Sequence, residues 1–112
     1  MSEGWIGVDL DGTLAEYHDW SGGFSIGRPV PAMIERVKNW LAAGAEVKIM
    51  TARVSSKVPK NILTRQQALI KSFCLWQFGR ELEATAEKDY AMIELWDDRV
   101  HKVEKNTGRI LA

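Results

Sequence analysis

Residues Gly7–Asp19 read GVDLDGTLAEYHD, and the first five of them decide the architecture. Asp9 and Asp11 flank one leucine at the end of an apolar run, Trp5-Ile6-Gly7-Val8, and Gly12-Thr13 follows at once. Such a run predicts a short buried strand, stopped by Asp-Gly. Residues two apart on a strand point the same way and lie about 7 Å apart. Asp9 and Asp11 can therefore face one reacting group while Leu10 turns into the core.

Beyond this strand, Gly12, Gly22, Gly23 and Gly27 mark residues 12–29 as an irregular excursion. Pro31 suits a first helical position, and Met33, Ile34, Val37, Trp40 and Leu41 recur at helical spacing until Gly44. AEVKIM (45–50) predicts a second strand, ending at Thr51. SSKVPKN (55–61) is a loop into a long helix over 61–78. Its apolar stripe is Ile62, Leu69, Ile70, Phe73 and Trp76, and Gly79 closes it. LEAT (82–85) predicts a short third strand, AMIELW (91–96) a fourth ending at Asp97-Asp98, and VHKVEK (100–105) a last one before the Asn106-Thr107-Gly108 turn. Trp40, Trp76 and Trp96 are expected in the core.

Strands alternating with helices define an α/β fold, here expected as a three-layer sandwich around a mostly parallel, Rossmann-like sheet. Residues 1–112 are expected to form a single domain. Ligands of such sheets sit outside the carboxyl ends of the strands. Asp9 and Asp11, Thr51, and Asp97-Asp98 all fall at strand ends, so three strands deliver polar groups to one rim.

Composition narrows the partners. Lys+Arg and Asp+Glu number 15 each, so no net field steers the chain toward nucleic acid or membrane. The N-terminal residues lack the basic start and apolar stretch of a signal peptide, and no run approaches the length of a membrane span. One cysteine, Cys74, excludes an internal disulfide and reads as a small buried hydrophobe in a helix. A cytoplasmic location is expected.

Converging carboxylates repel unless a cation neutralises them. Oxygen ligands with few dedicated protein groups favour Mg2+, which keeps several waters and shares phosphate oxygens. Asp98, with Asp97 beside it, can supply a further carboxylate. Zinc is disfavoured because His18 and His101 are isolated and Cys74 lies in a helix. The plain alternative for Asp9-Leu10-Asp11-Gly12 is a strand end whose aspartates cap a turn.

VDLDGTL (8–14) resembles the first motif of the haloacid dehalogenase-like phosphohydrolases. VKIMTAR (47–53) is similar to their second motif, Lys88 in AEKDY is placed like the third-motif lysine, and IELWDD (93–98) resembles the fourth. All four occur in order. Response-regulator receivers also gather aspartates, Thr and Lys around magnesium, but there the acidic pair opens the chain, whereas here a second pair follows the lysine. The resemblance implies Asp9 as nucleophile through an aspartyl-phosphate and Asp11 as general acid and base. It implies Thr51 and Lys88 as partners of the phosphoryl group. The magnesium ligands it implies are Asp9, the Asp11 backbone carbonyl and one of Asp98 or Asp97, with the other carboxylate of that pair behind it.

Family members often carry a cap domain. The intervals 14–30 and 52–87 are too short for one, the second being mostly helix, so a capless enzyme is expected with AEYHDWSGGFSIGR (15–28) as a flap. An open rim suits a large substrate, such as a nucleic-acid end or a phosphoprotein, or a partner subunit that closes it. A homo-oligomer would meet that need. Arg53 could reach a phosphate or a second anionic group, with Lys57 and Lys60 near the same rim, and Trp20 or Phe24 could stack on a base. The competing readings are a surface arginine and aromatics packed on the domain. His18 reads as a lone exposed histidine. The leading expectation is a phosphate monoester hydrolase acting on a nucleotide or a polynucleotide end. The alternative is a phosphate-binding or scaffold domain of the same fold with little turnover.

Overall fold

The first apolar run forms a strand because both of its faces are covered. In the computed structural model, which describes residues 4–18 and 24–111, β1 spans Trp5–Asp9 and is buried until its last residue. α1 (Pro31–Ala42) follows, started by the proline, and the chain leaves it through Gly44 at φ 86. β2 (Glu46–Met50) leads through a single 3-10 turn, Ala52–Val54, into α2 (Lys60–Phe78). Gly79 ends α2 in the left-handed conformation, its N–H bonded to the Leu75 carbonyl. β3 is reduced to Ala84–Thr85, and β4 spans Met92–Trp96. β5 (Lys102–Val103) and β6 (Ile110–Leu111) form a small antiparallel hairpin of their own.

The main sheet has the order β3-β2-β1-β4, and every pair in it is parallel. β1 therefore lies between strands that come much later in the chain. Two right-handed crossovers that advance in the same direction place their helices on the same face. The core agrees: Met33, Ile34 and Val37 of α1 and Ile70 and Cys74 of α2 join one cluster with Val8, Val47 and Ile49.

The opposite face is crossed by residues 86–91, the return from β3 to β4, and these hold no helix. Asp89 fastens that crossing by accepting from the Trp5 indole N–H at 2.9 Å, and the Lys48 ammonium lies 4.7 Å from the Trp5 ring centre. Gly7 fits beneath: a Cβ there would stand 3.1 Å from the Trp5 ring and 3.3 Å from Leu95 and Met92.

One core expectation fails. Trp76 is 86% exposed, whereas Trp40 and Trp96 pack on the core with ring centres 5.2 Å apart. The buried line of α2 is Gln66, Ile70 and Cys74, at fourfold spacing. At about 100° per residue, Trp76 stands about 120° round the helix from Ile70, the middle of that line. Among the described residues, no helix is long and apolar enough to cross a membrane.

Candidate functional site

The strand order brings the chemistry together. β1 ends at Asp9, flanked by β2, which runs into Thr51, and by β4, which runs into Asp97-Asp98. A cleft of about 1210 Å³ opens above these three ends. Leu10 is buried while Asp9, the last residue of β1, and Asp11, two residues beyond it, line the cleft.

Carboxylate oxygens of Asp9, Asp97 and Asp98 lie within 4.8 Å of one another, an all-oxygen set able to hold a hard cation. Without one, burial and then the charge of Asp97 raise the Asp9 pKa to about 7. A hydrogen bond with Asp98 and the charge of Asp98 add to this, and the Leu10 backbone opposes it. The acidic pair is held in place from outside. Asp98 donates its backbone N–H to Thr13 Oγ1 at 3.1 Å and accepts from that hydroxyl at 3.2 Å, while Asp97 accepts the Arg99 N–H at 2.8 Å. Gly12 makes room: it sits at φ 92, and a Cβ there would stand 2.5 Å from Asp98 Oδ2.

Asp11 is outside this trio. Its two oxygens accept from Arg53 Nε and Nη2, each at 2.8 Å, in a bidentate pair. Arg53 is only 9% exposed, so it is not a surface arginine; it lines the cleft near the rim, with its guanidinium paired to Asp11. Thr51 is buried at the cleft floor, and its hydroxyl oxygen accepts the Arg53 N–H at 3.2 Å. A hydroxyl used this way keeps its proton for another acceptor.

Other expected residues are spread more widely. Lys88 is exposed in the 86–91 crossing and does not line the cleft, although Ala86 does. Phe24 lines it, with the Arg65 guanidinium 4.0 Å from its ring centre, and Lys57 stands on the α2 side. Trp20 lies outside the described residues. His18 is exposed and pairs with Glu16 at 2.9 Å. The flap closes at its base, where Glu16 N–H bonds the Arg28 carbonyl and Val30 N–H the Leu14 carbonyl, each at 2.7 Å.

The polar or aromatic cleft residues that escaped the sequence reading include Tyr17, Ser55, Gln66 and Arg99. Gln66 had a signal, being the polar member of the line Ile62, Gln66, Ile70, Cys74. Arg99 follows the acidic pair directly. With Lys57 it adds cationic side chains to the cleft lining, Arg99 next to the acidic pair and Lys57 ahead of α2. The N-terminus of α2, which has no side-chain cap and no acidic residue in its first turn, opens on the same side.

No family model matches the chain, and no curated protein or solved structure matches it either.

Proposed function

We propose that this chain is a capless, haloacid dehalogenase-like phosphate monoester hydrolase that uses Asp9 as nucleophile and requires magnesium. The second face of its sheet would be covered by the 86–91 crossing in place of a full helical layer, a reduced form of the three-layer sandwich. The observation that carries the reading is the convergence of Asp9, Asp97 and Asp98 on a cleft that Lys57 and Arg99 also line. Carboxylates bind a divalent cation, and Lys57, Arg99 and the α2 N-terminus suit a phosphate dianion.

The donor set fits magnesium: Asp9 and Asp98 would be its direct ligands, with Asp97 beside them and the Asp11 backbone carbonyl contributing. When bound, magnesium supplies positive charge that offsets the crowded carboxylates and polarises the phosphoryl group. Asp9 attacks phosphorus as its ester P–O bond breaks, giving an aspartyl-phosphate. Asp11 hands a proton to the departing oxygen and later takes one from the water that hydrolyses the intermediate. Thr51 donates its hydroxyl to a phosphoryl oxygen. Lys88 would join from the crossing segment, balancing charge on Asp9 and phosphate. Tyr17 and Phe24 at the rim support a nucleotide or a polynucleotide end as substrate. Cys74, buried in α2, suits a cytoplasmic enzyme.

Release of phosphate from p-nitrophenyl phosphate, with magnesium and then with excess EDTA, tests this reading. Magnesium-dependent turnover is expected, and turnover undiminished by EDTA would remove the metal from it. The exposure of Lys88 favours a second reading, a phosphate-binding domain of the same class with little turnover. Tight phosphate binding without hydrolysis of any phosphomonoester would mark that case.

A further inference from the structure

We propose that the β5–β6 hairpin is a docking arm for single-stranded nucleic acid, holding phosphates beyond the one seated in the cleft; its link to the cleft rests on the hydrolase reading above. The equal totals of acidic and basic residues conceal an uneven distribution. Residues 99–112 hold Arg99, Lys102, Lys105 and Arg109 against a single acid, Glu104. That acid is already occupied: it accepts from the Arg109 guanidinium at 2.7 Å and from the Thr107 hydroxyl at 2.8 Å, and these two hold its pKa below the ordinary value. Among the described residues, Arg99, Lys102 and Lys105 form no ion pair.

The arm begins at the cleft. Arg99 lines it, and Lys102 follows three residues later, no more than about 11 Å away along the chain. The far end is fixed by a tight turn. Asn106 (φ 69) and Gly108 (φ 78) take the left-handed conformation there, and the Thr107 and Gly108 N–H groups both bond the Glu104 carbonyl. Val103 and Ile110 stand opposite each other and so share one face of the hairpin, where they are 53% and 68% exposed. β5 and β6 pair with each other and not with the main sheet, and a two-stranded ribbon of this kind gains from a further surface laid on it. Cations at intervals with an apolar pair among them suit a polynucleotide, in which phosphates alternate with sugars and bases. Tyr17 and Phe24, half-exposed where they line the cleft, offer rings to the bases nearest the scissile ester. An acidic peptide would satisfy the cations and leave those rings unused. A second copy of the chain would set the same cations against one another.

Binding is tested first, on the full chain and without turnover. Fluorescence anisotropy in EDTA follows a labelled single-stranded DNA of about 12 nucleotides, a length within the range that single-strand sites cover. Three phosphate contacts give a fall of log K with log salt at a slope of about −2. Lys102→Gln combined with Lys105→Gln removes two contacts, so the slope should shrink to about −0.7 and affinity should drop roughly 10- to 100-fold at about 50 mM salt. A slope near zero in the wild type, or equal affinity in the folded double variant, overturns the arm. Polyglutamate of the same charge binding as tightly as the DNA would assign the arm to acidic peptides and overturn the nucleic-acid reading. The link to the cleft is read separately, with magnesium and oligonucleotides phosphorylated at either end. The double variant should raise their KM by the same factor and leave p-nitrophenyl phosphate, too small to reach the arm, unchanged. An equal loss on both substrate types overturns the link. If the wild type hydrolyses neither, the hydrolase reading has failed, and anisotropy alone decides the arm. Both lysines are exposed, circular dichroism establishes folding, and Lys105→Gln alone replaces the double variant if that does not fold.

Discussion

Thr13 and Asp98 are 85 residues apart and hold each other twice, backbone N–H to hydroxyl at 3.1 Å and hydroxyl to carboxylate at 3.2 Å. The hydroxyl of the loop after β1 thus orients the carboxylate that follows β4. Groups that orient a metal ligand are typically worth about 10- to 100-fold in metal affinity. Thr13→Val, nearly the same shape, should weaken magnesium binding by about that factor, and Thr13→Ser should restore most of it. Calorimetric magnesium titrations of the two variants check this, and equal affinities would show that Thr13 is a packing residue.

The acidic trio also sets a pH dependence in magnesium-free protein. Asp9 has a folded pKa of about 7 against an ordinary value of 3.8, so the folded state holds a proton that the unfolded chain gives up. Its contribution to stability is full below about pH 3.8 and is lost as pH rises through about 7. The melting temperature without magnesium should consequently fall between pH 5 and about 8. Asp98→Asn, by removing a neighbouring charge, should flatten that fall and raise the melting temperature at pH 8. Thermal melts at fixed ionic strength measure both slopes.

Asp9→Asn keeps the size of the side chain but has no carboxylate to attack phosphorus. Turnover should drop by at least ~10³-fold with the circular dichroism spectrum intact. Residual activity above about one per cent in a clean preparation would move the nucleophile elsewhere.

Gly12 is constrained twice, by its φ of 92 and by the closeness of Asp98 Oδ2. Gly12→Ala should cost about 1–3 kcal/mol in stability from backbone conformation alone. It should also displace Asp98, so magnesium affinity falls with it. Urea melts and a magnesium titration on the same sample separate the two effects. A stable variant with wild-type affinity would mean that the loop relaxes to admit the methyl group.

The rim itself was legible because strand ends are marked by local chemistry. An apolar run that stops at an acid or a threonine fixes both the strand and the polar group beyond it, which located Asp9, Thr51 and Asp97-Asp98. The place of Arg53 at the cleft was legible, but its pairing with Asp11 was not. Its partner Asp11 lies 42 residues away, and only the 3-10 turn after β2 decides that the side chain turns inward. Trp76 misled for a different reason: hydrophobic character outweighed helical phase, and the phase put it outside. Lys88 matched a motif position in order, and order along the chain says nothing of how far the crossing holds its side chain from the cleft. The face shared by both helices follows from strand order, and the sequence alone does not number the strands across the sheet.

β1 pairs with β2 on one side and with β4 on the other, so its final neighbour is made of residues 92–96. A ribosome releases the first strand long before that neighbour exists. Until Met92–Trp96 emerges, one edge of β1 stays bare, and the Asp9 carboxylate has neither Asp97 nor Asp98 beside it. Closing so large a loop late makes assembly slow relative to local helix formation, and leaves an open strand edge available to other nascent chains meanwhile. The central strand of the finished sheet is therefore its most exposed one during synthesis.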